Sequence, residues 1–307
     1  LTIISPRRTT QAMKMEFIPE ETYYGKSAVK LLRLRAEGNV HHIKEMEVNV
    51  HLSLSSKKDF ESGDNSDIIA TDTQKNTVYA LAKLVGVKSP EQFGQALCRH
   101  FLSSFRHVIA VRVHIEEAPW KRITQGGQEH VHAFVIEKQC TRFCDLLQER
   151  GGLVQVWAGL KDLKVLKTTQ SGFVGFIRDK YTSLPEVTDR VFSTSVYARW
   201  RYATLYGLDE DKAWQLAKEA ILDVFAGPPL TGVYSASVQH TLHLTQGKIL
   251  QLIPQVSEVT MEMPNSHYFL ADLKKIGLEN NNEVLMPVDK PYGLIRASVK
   301  RSPTSKL

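Results

Sequence analysis

The sequence predicts an α+β fold in which antiparallel sheets carry helices on one face. Two observations predict it: runs that alternate apolar and polar residues occur in both halves of the chain, and stripes at helical spacing lie between them. The length of 307 residues and the apolar content of 42% are those of an ordinary globular protein of two domains. Helices are expected on only one face of each sheet, and pairing between halves and subunits would cover the other face, which predicts an oligomer.

The first half is predicted to contain several half-buried strands. Residues 46–54, "MEVNVHLSL", alternate strictly between apolar and polar side chains, as expected of a strand that is buried on one side. The same period returns in "VRVHIEE" at 111–117. It also returns at Val131, Ala133 and Val135.

Two helices are predicted between these strands. In "PEQFGQALCRHFLSSF" the residues Phe93, Leu97 and Phe101 recur at helical spacing behind a proline near the start. An earlier helix is predicted to begin at Asp72, whose side chain can cap it.

The second half is predicted to repeat this order. Strand-like "GLVQVWAG", "LKVLKTT" and "DRVFSTSVYARW" precede a helix with Trp214, Ala217, Ile221 and Phe225 along one stripe. Two further alternating runs, "GVYSASVQHTLHL" and "SEVTMEMPNSHYFLADL", are interpreted as strands. Because a helix of similar length opens near Phe93 and near Trp214, we expect a structural duplication.

Composition excludes several classes of protein. The net charge of +6 comes from scattered Lys and Arg, which is a mild bias toward anions and no indication of nucleic-acid binding. The sequence contains no run of eighteen apolar residues, so no membrane span is predicted. Three cysteines, Cys98, Cys140 and Cys144, are too few for a disulfide framework, so we expect a reducing compartment.

The two ends of the chain carry no fold signal. Residues 1–20 are interpreted as a loose extension, since they lack the apolar core of a secretory signal. Ser305, Lys306 and Leu307 form the tripeptide that is read as a peroxisomal address when its carboxylate is free, so we expect import into peroxisomes.

Cofactor motifs are absent from the sequence: no G-x-G-x-x-G follows a strand, and no phosphate-binding loop or H-E-x-x-H occurs. His130 and His132 share one strand face and could bind zinc, but a solvated pair is the better interpretation without a third ligand. Cys140 and Cys144 lie one turn apart if "QCTRFCDLLQER" is helical, and two buried thiols are favoured over a metal site.

Six segments together resemble one family. "YYGKSAVKLLRL", "DIIATDTQKNTVYALAK", "TTQSGFVGFIRDKYTSL", "DRVFSTSVYARW", "SASVQHTL" and "PNSHYF" occur in the order in which they occur in urate oxidases. The resemblance runs from about Tyr24 to Leu307, and the peroxisomal tripeptide fits it too. Six ordered segments are far more specific than any one of them.

The resemblance implies a tunnelling fold (T-fold) with two domains per subunit, here residues 21–150 and 151–307 after the extension 1–20. It implies a homotetramer whose sheets close into barrels and whose active sites lie between subunits. One subunit would supply the substrate-binding residues Phe173, Leu184, Arg190, Val238, Gln239, Asn265 and Ile295, together with His267. Its neighbour would supply Lys26, Thr71 and Asp72.

The reaction that the resemblance implies is oxidation of urate by O2 and water to 5-hydroxyisourate and hydrogen peroxide, without metal, flavin or haem. Arg190 and Gln239 would grip the purine edges and Phe173 would stack on its face. Lys26, Thr71 and His267 would relay the proton as catalytic residues, with Asn265 at the oxygen or water site. Without the resemblance, His267 would be interpreted as an ordinary strand histidine.

Two alternatives stay open at this point. Another purine- or pterin-handling enzyme of the same fold, such as a cyclohydrolase-like one, commonly uses a Cys/His zinc site, and the cysteine spacing here matches none. A non-enzymatic anion or nucleic-acid binder is suggested by the charge alone and would need clustered basic and aromatic residues, which the sequence lacks.

Overall fold

The computed structural model describes residues 20–302, apart from the side chain of Asp289. Within this range the chain forms ten strands: β1 (Tyr24–Glu37), β2 (Val40–Leu54), β3 (Val108–Glu117), β4 (Trp120–Gln125), β5 (Gln128–Ile136), β6 (Thr141–Glu149), β7 (Gln155–Lys167), β8 (Phe192–Tyr202), β9 (Val256–Leu270) and β10 (Leu285–Lys300). It forms five α-helices: α1 (Lys58–Glu61), α2 (Thr71–Leu84), α3 (Pro90–Ser104), α4 (Glu210–Ala226) and α5 (Val238–Leu252). The expected extension up to residue 19 and the tripeptide Ser305, Lys306 and Leu307 lie outside the described residues.

Eight of these strands form one antiparallel sheet in the order β1-β2-β3-β6-β7-β8-β9-β10, and β4 and β5 form a separate hairpin. Each half of the chain supplies four neighbouring strands of the sheet. In each half, two long helices stand between the second and third of these strands, α2 and α3 in the first half and α4 and α5 in the second. The predicted α+β class with an antiparallel sheet is therefore confirmed.

The core lies between one face of the sheet and the four long helices. On β2 the side chains of Met46, Val48, Val50 and Leu52 are buried, as the alternation predicts, while those between them are half-buried. On α3 the predicted stripe through Phe93, Leu97 and Phe101 is buried against the sheet. The opposite sheet face carries ionisable side chains such as His114 and Asp145, which lie 2.7 Å apart, so this face is polar.

One alternating run has a different environment from the one predicted. Val131 and Val135 lie on β5, but β5 pairs only with β4, and the two side chains are 40% and 48% exposed. The alternation of apolar and polar residues correctly predicted a strand. The expected burial of its apolar side is wrong. A two-stranded hairpin outside the sheet has no layer behind it to cover that side.

The segment "QCTRFCDLLQER", for which a helix was considered, forms a strand instead. Residues Thr141–Glu149 form strand β6, which pairs with β3 on one side and β7 on the other. Adjacent residues of a strand point to opposite faces, and here Arg142 is buried on one face and Phe143 on the other, so polarity does not alternate along β6. Cys140 and Cys144 are therefore not neighbours on a helix. Both are free and buried, as is Cys98.

The predicted strand in "GVYSASVQHTLHL" is also wrong, because helix α5 begins at Val238. Ser237 caps the helix by accepting the backbone N–H of His240 at 3.1 Å. The side chains that α5 buries recur at helical spacing and include Thr and Gln: Val238, Thr241, Leu242, Thr245, Gln246, Ile249 and Leu250. This stripe was not recognised in the sequence because only some of its residues are apolar.

Two element boundaries differ from prediction. Helix α2 begins at Thr71, and Asp72 lies in its first turn without capping it. The segments "GLVQVWAG" and "LKVLKTT" form one strand, β7, whose register with β8 shifts between Leu160 and Leu163. Before the shift the even-numbered residues point to the core, and after it the odd-numbered ones do, so the sequence of one strand looks like that of two.

The sheet ends in two long edge strands. β1 has 14 residues and β10 has 16, and each pairs with a single neighbour. Along these strands Leu32, Tyr292 and Leu294 are between 51% and 59% exposed. None of the helices in residues 20–302 has the length and apolarity to cross a membrane.

Candidate functional site

Lys26 lies at an irregular point of the edge strand β1. The strand runs so close to β2 that a Cβ added to Gly25 would lie 1.9 Å from the carbonyl oxygen of Val50. Directly after Lys26 the register shifts, Ala28 adopts a φ of 57°, and its N–H donates to Asn49 Oδ1 at 2.6 Å. A bulge of this kind re-aims the neighbouring side chains. Lys26 is half-buried there.

Thr71 and Asp72 lie beside β1 at the start of α2. The phenol oxygen of Tyr24 accepts the N–H of Ile69 at 2.9 Å, and Gln74 Nε2 donates to the Ile69 carbonyl at 3.1 Å. These two bonds fasten the start of the helix to the strand that carries Lys26. Thr71 is half-buried and Asp72 is exposed.

Asp72 also lies close enough to Lys26 for their charges to interact. The carboxylate of Asp72 accepts from Lys75 Nζ at 2.5 Å and from Asn76 Nδ2 at 3.0 Å. Lys75, with a smaller contribution from the charge of Lys26, holds the pKa of Asp72 below its ordinary value. Lys26, Thr71 and Asp72 therefore form one group, called here the relay group.

A second group surrounds Arg190 and Phe173. The guanidinium carbon of Arg190 lies 5.5 Å from the centroid of the Phe173 ring. The backbones are fixed as well: Phe173 N–H donates to the Val187 carbonyl at 2.7 Å, and Arg190 N–H donates to the Ser171 carbonyl at 2.8 Å. Burial lowers the pKa of Arg190 from its ordinary value, yet a guanidinium stays charged.

No ion pair within 4.0 Å joins Arg190 to a carboxylate among the side chains that the structure describes, and its guanidinium contacts the Phe173 ring instead. The neighbouring Asp189 is occupied elsewhere, accepting from Thr169 Oγ1 at 2.8 Å and from Gln170 N–H at 2.8 Å. A half-buried cation beside an aromatic face, with no internal counter-ion, suits a planar anion.

The segment that leads into α5 contacts the segment that carries Phe173. Gly172 N–H donates to the Ser235 carbonyl at 3.0 Å, and Lys167 Nζ donates to Ser235 Oγ at 2.8 Å. Val238 and Gln239 follow in the first turn of the helix, the first buried and the second exposed. The N-terminus of a helix presents partial positive charge and free N–H groups, which favours an anion here too.

Asn265, His267 and Ile295 lie on β9 and β10, next to that group. Asn265 pairs with Thr194 on β8, four residues after Arg190, and with Gly293 on β10. The rings of His267 and Phe269 are stacked, with centroids 5.8 Å apart. Ile295 pairs with Met263.

The predicted face of β9 is retained only in part. Val259, Met261 and Met263 are buried, as expected, but every residue from Pro264 to Tyr268 is half-buried. The register with β10 shifts between Val288 and Gly293, opposite this stretch. The strand therefore leaves the regular sheet where Asn265 and His267 lie.

Leu184 is in the loop before β8 and is 46% exposed. Its carbonyl accepts from Arg178 Nη1 at 2.8 Å. Phe173, Arg190, Val238, Gln239, Asn265, His267 and Ile295 lie around the start of β8 and the N-terminus of α5, and are called here the grip group. Leu184 is tied to the same loop.

The two groups are far apart within one chain. β1 and β8 are separated by five strand spacings in the sheet order, which at roughly 4.8 Å each is about 24 Å along the sheet. One chain therefore brings together the members of each group and does not bring the groups to each other. A cleft of about 660 Å³ is lined by Arg33, Lys44, Lys88, Trp120 and Arg122 among others, and it includes no predicted site residue.

The histidine pair has a structural environment of its own. The rings of His130 and His132 have centroids 4.6 Å apart, and His41 lies 5.8 Å from His132. His130 Nδ1 accepts the backbone N–H groups of His132 and Ala133 at 3.2 and 3.0 Å. Among residues 20–302 no three His, Cys, Asp or Glu side chains are arranged to hold a metal ion.

The sequence-based prediction missed the residues that fix the grip group. Asp189, Ser235 and Phe176 belong to them, and each lies in a loop without periodicity. The one available signal was the spacing of two phenylalanines in "GFVGF".

The fold is that of an α+β protein, and the grip group is a candidate site for a planar anion. A family model described as Uricase matches residues 22–146 and 156–296. The chain is 50% identical over 293 residues to the uricase of Oryctolagus cuniculus, covering 95% of this chain and 97% of the relative. It is 51% identical over 299 residues to the uricase of Danio rerio, covering 97% and 99%.

Solved structures of other proteins have the same fold as this chain. The crystal structure of uricase from Arthrobacter globiformis superposes with a TM-score of 0.87 at 36% identity, covering 95% of this chain and 97% of that one. A urate oxidase from Bacillus sp. TB-90 has the same fold, with a TM-score of 0.77 at 22% identity, covering 92% and 100%. The chain belongs to the uricase family.

Proposed function

We propose that this urate oxidase converts urate, O2 and water to 5-hydroxyisourate and hydrogen peroxide. The purine loses two electrons and O2 gains them, while water supplies the new hydroxyl oxygen. The observation that carries the proposal is the half-buried Arg190 guanidinium, uncompensated within residues 20–302, beside the face of Phe173. A planar purine anion satisfies both the charge and the ring.

The grip group holds the substrate in this proposal. Arg190 donates its planar fork to urate oxygens, and Gln239 offers an amide donor and acceptor to another edge of the ring. Phe173 stacks on the purine face, and Val238, Leu184 and Ile295 exclude water around it. Asn265 directs its amide to the place above the ring where O2 or water sits.

The relay group removes the proton. Lys26 is the base, Thr71 passes the proton to it, and His267 completes the relay from the grip side. Asp72 lies beside Thr71 and contributes to substrate binding. We propose that no metal, flavin or haem takes part, because urate is an electron-rich anion that can itself deliver the electrons to O2.

We further propose a homotetramer of two-domain T-fold subunits, with the domains at residues 21–150 and 151–307. Two facts support it: the edge strands β1 and β10 have unpaired edges along 14 and 16 residues, and the relay and grip groups lie far apart in one chain. Pairing of sheet edges between copies removes both edges and closes barrels. The relay group of one copy then meets the grip group of another.

A peroxisomal location is proposed on the sequence of the last three residues, Ser305, Lys306 and Leu307. The partner is then the import receptor that reads this tripeptide. Peroxisomes also concentrate the enzymes that destroy hydrogen peroxide, which is a product of the proposed reaction. No nucleic acid or membrane is proposed as a partner.

The test is a measurement of oxygen uptake and loss of urate absorbance by purified protein, with a metal chelator present. We expect one O2 consumed per urate, the same rate with and without chelator, and activity in the fraction that sediments as a tetramer. A well-folded tetramer that consumes no oxygen with urate contradicts the proposed reaction. Activity that the chelator abolishes contradicts the metal-free mechanism.

A further inference from the structure

An aromatic stack continues from Phe173 away from the predicted site residues. The rings of Phe173 and Phe176 are nearly parallel, with an angle of 10° and centroids 4.9 Å apart. The guanidinium carbon of Arg178 lies 5.5 Å from the Phe176 centroid, as that of Arg190 lies 5.5 Å from the Phe173 centroid. Each ring of the pair therefore has its own cation.

The stack limits how Phe173 can bind a planar ligand. An aromatic ring has two faces, and a parallel neighbour at this distance covers one of them. A purine can then stack only on the face of Phe173 that points away from Phe176. The neighbour also restricts rotation of the Phe173 side chain, so less conformational freedom remains to be lost when the ligand binds.

The same short segment fastens the loop that precedes β8. Arg178 Nη1 donates to the Leu184 carbonyl at 2.8 Å, and Gly175 N–H donates to Glu186 Oε1 at 3.0 Å. Phe176 lies between these two attachments and is half-buried. The segment that carries Phe176 is thus held at two points, while its ring contacts Phe173 and the Arg178 guanidinium, so it can support Phe173.

We propose that Phe176 is a positioning residue for the substrate, which it does not itself touch. By backing Phe173 it leaves one stacking face and holds the ring at the angle that the purine meets. This inference rests on the proposed function, since it assigns Phe176 to the stacking step of the same site. It predicts an effect on urate binding and a much smaller effect on the chemical step.

The experiment compares Phe176→Leu, which keeps apolar volume and removes the flat ring, with Phe176→Tyr, which retains the ring. Steady-state kinetics give KM and kcat, and titration with urate in the absence of oxygen gives Kd. For Phe176→Leu we expect KM and Kd to rise about two- to tenfold, which corresponds to the cost of ordering one side chain, Phe173, when urate binds. We expect kcat to change less than twofold, and Phe176→Tyr to resemble the wild type.

The matched control is Ile177→Ala, because Ile177 is the next residue and is 96% exposed. It should leave KM, Kd and kcat unchanged. Phe176→Met repeats the test should the leucine variant fail to fold. Unchanged KM and Kd in a folded leucine or methionine variant overturns the inference, as does a tyrosine variant as impaired as the leucine one. A wild-type protein that does not consume urate overturns the proposed function instead.

Discussion

Replacing Arg142 by methionine tests the buried ionic cluster that joins the two halves of the chain. Arg142 on β6 is 8% exposed; Nη2 binds Glu91 Oε2 at 2.9 Å, and Nη1 binds Asp211 Oδ1 at 2.6 Å and Glu117 Oε2 at 3.3 Å. Lys44 binds Glu117 and Asp211 at 3.0 Å each. Glu91, Glu117 and Lys44 come from the first half and Asp211 from the second, so Arg142 is the shared partner.

The expected cost follows from the burial of Glu91, whose side chain is 0% exposed. Burial raises the pKa of Glu91, and Arg142 opposes that rise. Removing Arg142 leaves a buried carboxylate without its counter-ion, which costs about 3–5 kcal/mol. For a chain of 307 residues that lowers Tm by roughly 5–8 °C. The loss should shrink as the pH falls, because protonating Glu91 removes the unpaired charge.

Thermal unfolding followed by circular dichroism at several pH values measures the effect. The control is Arg296→Met, which breaks an ion pair whose side chains are 61% and 28% exposed and should cost less than about 1 kcal/mol. A double variant, Glu91→Leu with Arg142→Met, should recover most of the stability, since both buried charges are gone while Lys44 still holds its own partners. Equal Tm values for the Arg142 and Arg296 variants would refute this reasoning.

Two further predictions concern the site and the polar sheet face. Arg190→Ala should chiefly raise the KM for urate, whereas Lys26→Ala and Thr71→Ala should chiefly lower kcat; equal small effects on both constants from all three would contradict the assigned roles. A hydrogen bond at 2.7 Å to Asp145 raises the pKa of His114. Its folded pKa exceeds its unfolded pKa, so it stabilises the fold below the unfolded value near 6.5 and loses this effect as pH rises through the folded value. Denaturant unfolding across that window should show stability falling with pH in the wild type and less so in His114→Gln.

The regular parts of the fold could be predicted from the sequence because they obey a single period. β2 alternates with one face buried, and α3 shows its apolar stripe, so both predictions were confirmed. The segment of α5 was wrongly predicted as a strand, and the strand β6 was not recognised. β6 buries an arginine, Arg142, on one face and Phe143 on the other, so its polarity does not alternate. Helix α5 buries Thr and Gln, which a search for apolar stripes counts as exposed.

The site residues could not be placed from periodicity, since they lie where the backbone is irregular. Lys26 precedes a bulge, Arg190 ends a loop, and His267 lies on β9 opposite a register shift in β10. Where the backbone is irregular, a side chain no longer follows the alternation that directs every second residue into the core. It can then face a ligand, but the sequence pattern that would have predicted its position is lost. Matching segments could name these residues one by one, but whether they form one site depends on the sheet order. That order places Lys26 at one edge and Arg190 beyond the middle, so the proposed chemistry requires contact between copies of the chain.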